Sequence, residues 1–314
     1  MSLHTFDQAT VDSTGVFLIG ELERLDQELN MPLVGYTWSR DIELREDVSI
    51  ADDISSFTNT ELAASGTPNP NGKNWIGKNS TEIATVNLDI NKTGFPLTLW
   101  GMELGWTVVE LAAAQQVGRP VDAQKFEGMQ LKWNMDTDEQ VYRGDSLIGV
   151  KGLVNYNGVL TTNAPKVWTA STADEIRQSI NSVLSAAWAN SGYTIVPRDL
   201  LLPPEQFALL SSIIVSSAGN QSLLTYLQTN TIAYHQNGVP LNIRAVKWLK
   251  GAGAGGKDRM VAYTNSKKFV RFPMVPLQNV PIQYRGMYQL TTYYGRLGAV
   301  ESPYRETLAY VDGI

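Results

Sequence analysis

Residues Val141–Asn155 read VYRGDSLIGVKGLVN, and the glycines at 144, 149 and 152 mark a turn region between two differently patterned halves. On the N-terminal side, Ala123, Phe126, Met129 and Trp133 recur at helical spacing and predict a helix over Val121–Met135. Before it, Leu99–Val117 reads as the strongest helix of the chain. Trp100, Leu104, Val108 and Leu111 share one face, and Met102, Trp106, Val109 and Ala113 share another. Gly118 and Pro120 stop it. Gly101 and Gly105 each cost roughly 1 kcal/mol in a helix, so they mark either the close approach of another backbone or a tolerated, slightly weak helix start.

Further upstream the pattern turns to strand. Val86, Leu88 and Ile90 alternate with Asn87, Asp89 and Asn91 and share one face. A polar tip follows the first strand, Ala64–Ser80, where Gly66, Pro68, Pro70, Gly72 and Gly77 surround Trp75 and Ile76. A tryptophan in such a tip predicts that another surface covers it. At the N-terminus, Asp12–Asn30 predicts a short helix ended by Pro32.

On the C-terminal side, Thr172 and Glu175 have capping-box spacing ahead of Ile176, Ile180, Val183, Leu184 and Ala187, which predicts an amphipathic helix closed by Asn190–Gly192. Leu200–Leu202 predicts a strand and Pro203-Pro204 a helix start through Phe207 and Leu210. Leu241–Leu249 and Met260–Tyr263 read as two strands of a hairpin around a glycine loop. Phe269–Phe272, Ile282–Tyr284 and Tyr288–Tyr294 return to β. No internal repeat or flexible linker interrupts the series.

Composition excludes whole classes of chemistry. The chain of 314 residues has no cysteine, which removes disulfides, thiolate nucleophiles and Cys-ligated metals. It has two histidines, His4 and His235, and only the second lies away from a terminus. A net charge of -6 opposes a surface built to neutralise phosphates. Met1–Thr10 lacks the basic-then-apolar pattern of a secretory signal, so export by that route is not expected. The most apolar stretch, Phe95–Val117, holds Glu103 and Glu110, each costing about 2.5–3.5 kcal/mol at a bilayer centre, and reads as buried helix.

Several short motifs invite a function and fail on their context. Gly144-Asp145-Ser146-Leu147 spells the signature of a serine esterase family whose base comes from a distant Asp-x-x-His. His235 follows Thr231-Ile232-Ala233-Tyr234, so that partner is missing and Ser146 lacks activation. Arg143-Gly144-Asp145 has no adhesive meaning without secretion. Gly251–Lys257 fits Gly-x-Gly-x-x-Gly and the start of a phosphate loop, but Asp258 follows where Ser or Thr belongs, and a strand replaces the required helix. Asp136 and Asp138 begin like a calcium loop, while Gln140 and Val141 stand where a ligand and the turn glycine should be. The triplets at Asn79, Asn91 and Asn220 concern glycosylation only in secreted chains. No catalytic, cofactor or metal residue is expected.

The order of parts carries more weight than any of these: an arm, a long β excursion with a Gly/Pro/Asn tip, a long helix, and two mixed regions ending in strands. Val141-Tyr142-Arg143-Gly144-Asp145 with Gly149–Asn155 resembles the Gly-Leu-(Leu/Val)-Asn junction of tailed-bacteriophage major capsid proteins of the Hong Kong 97-type fold. Leu200–Phe207 resembles a second segment of that family, and Arg296–Val300 with Pro303 and Tyr304 its closing strand region, so the likeness spans nearly the whole chain.

The resemblance implies an α+β subunit with an N-arm at 1–35, an extended E-loop at 36–95, a peripheral domain at 96–162 and 265–314, and an axial domain at 163–264. Leu99–Val117 would be its spine helix. It implies hexamers and pentamers forming an icosahedral head around double-stranded DNA, made in the host cytoplasm and ending in the virion. Partners would be further copies of the chain, scaffolding, portal and decoration proteins, and DNA held weakly; no membrane is expected. Some family members carry a scaffolding leader, and none is visible here; others cross-link a lysine to a neighbour's asparagine, a role that neither Lys73 nor Lys78 can be assigned. Inter-subunit contact falls to Trp38, Arg40, Lys73, Trp75, Ile76 and Lys78. An encapsulin-like compartment packaging protein shares the fold, and the residues leave both shells open. Two further classes remain as alternatives: an esterase using Ser146 and a small-ligand binder using Gly251–Lys257.

Overall fold

The computed structural model describes residues 34–64, 78, 86–117, 121–215 and 219–314. The expected helix Asp12–Asn30 and most of the tip 64–80 lie outside them. In chain order the elements begin with a single helical turn α1 (Trp38–Asp41), β1 (Glu43–Arg45), β2 (Ile54–Ala64), β3 (Val86–Pro96) and β4 (Thr98–Thr107). Helices α2 (Val108–Val117) and α3 (Val121–Tyr142) follow, then β5 (Leu160–Asn163), α4 (Ala173–Asn190), β6 (Asp199–Leu202) and α5 (Pro204–Ser212). After these come β7 (Ile214–Val215), β8 (Gln221–Ser222), α6 (Leu223–Thr229), α7 (Ile232–Asn237), β9 (Asn242–Ala245) and β10 (Arg259–Tyr263). The last are β11 (Arg271–Asn279), β12 (Gln283–Arg285), β13 (Tyr288–Leu297) and β14 (Ala309–Asp312).

The first sheet corrects the strongest helix expectation. Residues 98–107 are a strand, and only 108–117 are helical; the long helix is α3, with 22 residues. Trp100, Leu104 and Val108 are four apart, a spacing that satisfies a helix face and, because four is twice two, a strand face as well. Burial decides between them. Leu104 and Trp106 are buried and Trp100 and Met102 half-buried, whereas Leu99 is 61% exposed, so the period is two. Strand β4 pairs with β13 over ten residues, from Thr98↔Leu297 to Thr107↔Tyr288, which stabilises an extended backbone that local propensity does not favour. The two glycines fit this edge: a Cβ on Gly105 would sit 2.9 Å from Leu290 Cδ2.

Helix α3 covers this sheet. Met129 packs against Leu104 and Trp106, Trp133 meets Trp100 edge-on at 5.0 Å, and Phe126 meets Tyr293 at 5.5 Å. Lys125 Nζ donates to Gly105 O (3.0 Å) and Trp100 Nε1 to Asp136 Oδ2 (2.9 Å), so polar ends tie helix to strand. On its other side β13 pairs with β11 and β12, and β1 adds to β11 in parallel.

The second sheet runs β5-β14-β10-β6-β9. All of β6 is buried, with Leu200 and Leu202 in one core and Leu201 in the other, as a strand covered on both faces requires. Helix α4 supplies Ile176, Ile180, Val183, Leu184 and Ala187 to the first core. Its capping box forms as expected: Glu175 N–H donates to Thr172 Oγ1 (3.3 Å) and Thr172 N–H to the Glu175 carboxylate (2.7 Å).

One expectation changes here. Strands β9 and β10 are not a hairpin, because β6 lies between them, parallel to β9 and antiparallel to β10. The C-terminal β14 sits between β5 and β10 in this second sheet.

Candidate assembly surface

Three regions hold the residues expected to make contacts or carry chemistry. The first is the ribbon of β2 and β3, paired in register from Ile54↔Pro96 to Ala64↔Val86. Eleven residues at about 3.3 Å each give it a length of roughly 36 Å. Ser55, Phe57 and Asn59 face the body, while Ile54 (65% exposed) and Ile90 (63%) stand in solvent. A two-stranded ribbon is at best marginal alone.

The ribbon is held at its base. Arg296, from β13, donates to Ile50 O (2.7 Å) and Leu97 O (2.9 Å) and pairs with Asp53 (2.9 Å), so it gathers the two strands of the ribbon at their base. Glu301, fully buried, accepts from Arg45 Nη1 (3.1 Å to each oxygen), from Arg271 Nε (2.7 Å) and from Ser55 Oγ. Asn59 Nδ2 adds a bond to Pro303 O at 3.1 Å. Sequence reasoning missed Glu301. Its signal was an acid inside Gly298-Ala299-Val300-Glu301-Ser302-Pro303, an otherwise uncharged run in which a carboxylate needs a buried partner.

The second region is the segment 35–42. Asp138, on α3, accepts from the N–H groups of Thr37 (2.8 Å) and Trp38 (3.0 Å) and from Trp248 Nε1 (2.7 Å). Asp41 accepts from Arg40 (2.8 Å), Arg244 (2.9 Å) and the Tyr142 hydroxyl. Burial, reinforced by the charge of Asp41, pushes the Tyr142 phenol well above its ordinary range, which keeps it protonated and donating. Trp38, expected at an inter-subunit contact, is 8% exposed and belongs to the subunit's own core with Val141, Leu249 and Tyr263. The reason is the helical turn that Asp138 caps, which turns the indole inward. Arg40 is partly exposed, with its guanidinium on Asp41. Lys78 is exposed, and Lys73, Trp75 and Ile76 lie outside the described residues.

The third region contains the rejected motifs. Gly144, at φ +70°, turns the chain after α3, and a Cβ there would meet Val150 O at 2.5 Å. Asp145 Oδ1 accepts from Leu147 N–H (2.8 Å), and Ser146 is exposed at the edge of a cleft of about 490 Å³ with Trp100, Glu139, Arg143 and Lys151. His235 is on α7 against Tyr234 and does not line that cleft. In the glycine loop, Gly251 N–H donates to Asp258 (2.9 Å) and Ala254 N–H to Asp312 (2.9 Å), so carboxylates take the donors a phosphate would need. Asp136 and Asp138 are both helical. Among the described residues no cluster of acids and histidines is arranged to hold a metal, and no helix is long and apolar enough to cross a membrane.

Comparison with known proteins places this geometry. A family model described as major capsid protein matches residues 72–314. The capsid of Myoviridae phage XM1 superposes with a TM-score of 0.77 at 17% identity, over 94% of this chain and 98% of that one. The capsid of a native GTA particle gives 0.63 at 10% identity, over 99% of each chain, and Mycobacterium phage Adephagia 0.59 at 10%, over 98% and 97%. No curated protein matches. The fold is thus Hong Kong 97-like, and the chain belongs to the major capsid protein family, a structural component of the phage virion shell.

Proposed function

We propose that the chain closes into hexamers and pentamers of an icosahedral head around double-stranded DNA, and that the ribbon 54–96 is the element that reaches across to the next copy. The observation that carries this is the ribbon itself, some 36 Å long by strand spacing, attached near its base and showing Ile54 and Ile90 to solvent. A closed shell needs repeated contacts between unlike surfaces, and a projecting arm supplies one half of such a contact. Several modest contacts per subunit then raise avidity together.

Contact with the neighbour is assigned to the tip residues Lys73, Trp75, Ile76 and Lys78 and to the exposed edge of Arg40. Residues 96–162 with 265–314 are assigned to the peripheral domain, and residues 163–264 to the axial domain. Scaffolding, portal and decoration proteins are the further partners, and DNA contact is weak, as the net charge of -6 implies. No enzymatic role is given to Ser146. The family match favours this reading over a compartment that packages protein.

Deleting residues 66–78 tests it. Negative-stain imaging is expected to show shells or capsomer rings from the parent chain and only dispersed subunits from the deletion, with the circular dichroism spectrum of the body retained. Normal particles from the deleted chain would refute the role of the ribbon.

A further inference from the structure

Two attachments are needed to give a lever a direction, since one alone is a pivot. Arg296 gathers Ile50, Asp53 and Leu97 at the root of the ribbon, where β2 begins and β3 ends. This fixes where the ribbon starts and leaves its inclination free. We propose that Glu301 is the positioning residue of the ribbon: its buried carboxylate is the second attachment, and it sets the angle at which the ribbon leaves the body. The proposal rests on the reading of the ribbon as the element that meets a neighbour.

The argument is geometric. Glu301 joins three segments far apart in sequence: Ser55 on β2, Arg45 on β1 and Arg271 on β11. Arg45 also donates from Nη1 to Ser56 O (3.0 Å), so β2 is held through its backbone as well as its hydroxyl. Arg271 lies under the Phe57 ring at 6.0 Å, on the same face. The remaining described tie, Asn59 to Pro303, is a neutral bond, whereas those at Glu301 involve charge on one or both sides and are correspondingly stronger. Asp47 pairs with Arg45 at 2.7 Å, so two arginines and two carboxylates balance.

Leverage makes this angle matter. A swing of about 10° at the base of a ribbon roughly 36 Å long moves its end by about 6 Å, nearly two residues of a strand. A contact surface displaced by that distance meets the wrong residues on the neighbour.

The chain contains no cysteine, so nitroxide labels can be placed uniquely by Lys92→Cys on the ribbon and Ser211→Cys on α5, both exposed positions. Double electron–electron resonance on the dilute, unassembled subunit reads the distance between them. The parent is expected to give one narrow distribution, and Glu301→Gln one at least about twofold broader, with the far-UV spectrum of the body unchanged. Ser55→Ala removes the hydroxyl's bonds to Glu301 and to Arg45 and leaves both arginine pairs of Glu301, so it decides the matter should Glu301→Gln fail to fold; a broadened or displaced distribution is expected there too. An unchanged distribution in Ser55→Ala together with an unchanged or unfolded Glu301→Gln would overturn the proposal. Imaging the labelled parent separately tests shell formation, so a failure there counts against the proposed function and not against the positioning role.

Discussion

Placing a methyl group at Gly295 tests whether the seat of the long helix is as tight as its geometry indicates. A Cβ there would lie 2.8 Å from Trp133 Cη2, 3.2 Å from Cζ3 and 2.9 Å from Val275 O. Ordinary carbon contacts are about 3.5–4.0 Å, so the indole must retreat by roughly 0.7 Å. It has little room, being buried and held edge-on by Trp100 at 5.0 Å. The other contact is backbone of a paired strand and cannot yield. Gly295→Ala is therefore expected to cost about 1–3 kcal/mol, read as a lower urea midpoint at unchanged slope. Trp133→Leu by itself leaves a cavity under the sheet and is expected to cost about 2–4 kcal/mol. With the ring gone the added methyl enters the vacated space, so the double variant should be more stable than the sum of the two by about 1–2 kcal/mol. Strict additivity, or a Gly295→Ala midpoint equal to the parent's, would refute the packing argument.

Three other outcomes follow from particular groups. Asp312 is buried against Arg259 at 2.6 Å. Burial alone works to raise its pKa, but the bonds from Arg259 and the Ala254 N–H, with the charges of Arg259 and Lys257, outweigh that and hold it below its ordinary 3.8. A folded-state pKa below the unfolded one stabilises fully at neutral pH and is lost as pH falls from about 3.8 through the folded value, so the share of the urea midpoint due to Asp312 should be lost in that acid range, and Asp312→Asn should shrink the acid dependence without abolishing it, since Asp47, Glu110 and Glu175 are held low as well. Breaking that pair is also expected to cost about 3–5 kcal/mol at neutral pH, seen as the same midpoint shift. Thr172→Ala deletes one arm of the capping box of α4 and is expected to cost about 1 kcal/mol by denaturant titration. A fluorophosphonate probe is expected to leave Ser146 unlabelled by mass spectrometry, and labelling abolished by Ser146→Ala would revive the esterase reading.

How legible each part was depended on the range of the forces that made it. The capping box at Thr172, the strand through Leu200–Leu202 and the helix through Met129 and Trp133 rest on local spacing, and all three formed where spacing placed them. The stretch 98–107 did not, because its fate was decided by β13, nearly two hundred residues away. Its large residues recur every second position, but the subset four apart imitates a helix, and helix propensity offers no objection to Trp, Met or Leu. The two glycines were the discordant signal, but not as close backbone contacts: a Cβ on Gly101 would make ordinary contact with Tyr293 O at 3.6 Å, and one on Gly105 would meet the end of the Leu290 side chain.

The polar residues of the assembly surface were hidden for the same reason. Glu301 meets Ser55 across 246 positions, and Asp138 meets Thr37 across 101, so neither partner is visible in any window of sequence. What remains local is the cost of burying a carboxylate, which no core tolerates without donors. That cost supplies the link from fold to shell. A ribbon specified by β pairing alone would be free to swing, and an assembling surface free to swing loses affinity to the entropy of being oriented on contact. By drawing two arginines and a ribbon serine onto one buried acid, the body removes that freedom before any neighbour arrives, so that orientation is a property of the single subunit and recognition can proceed between preformed surfaces.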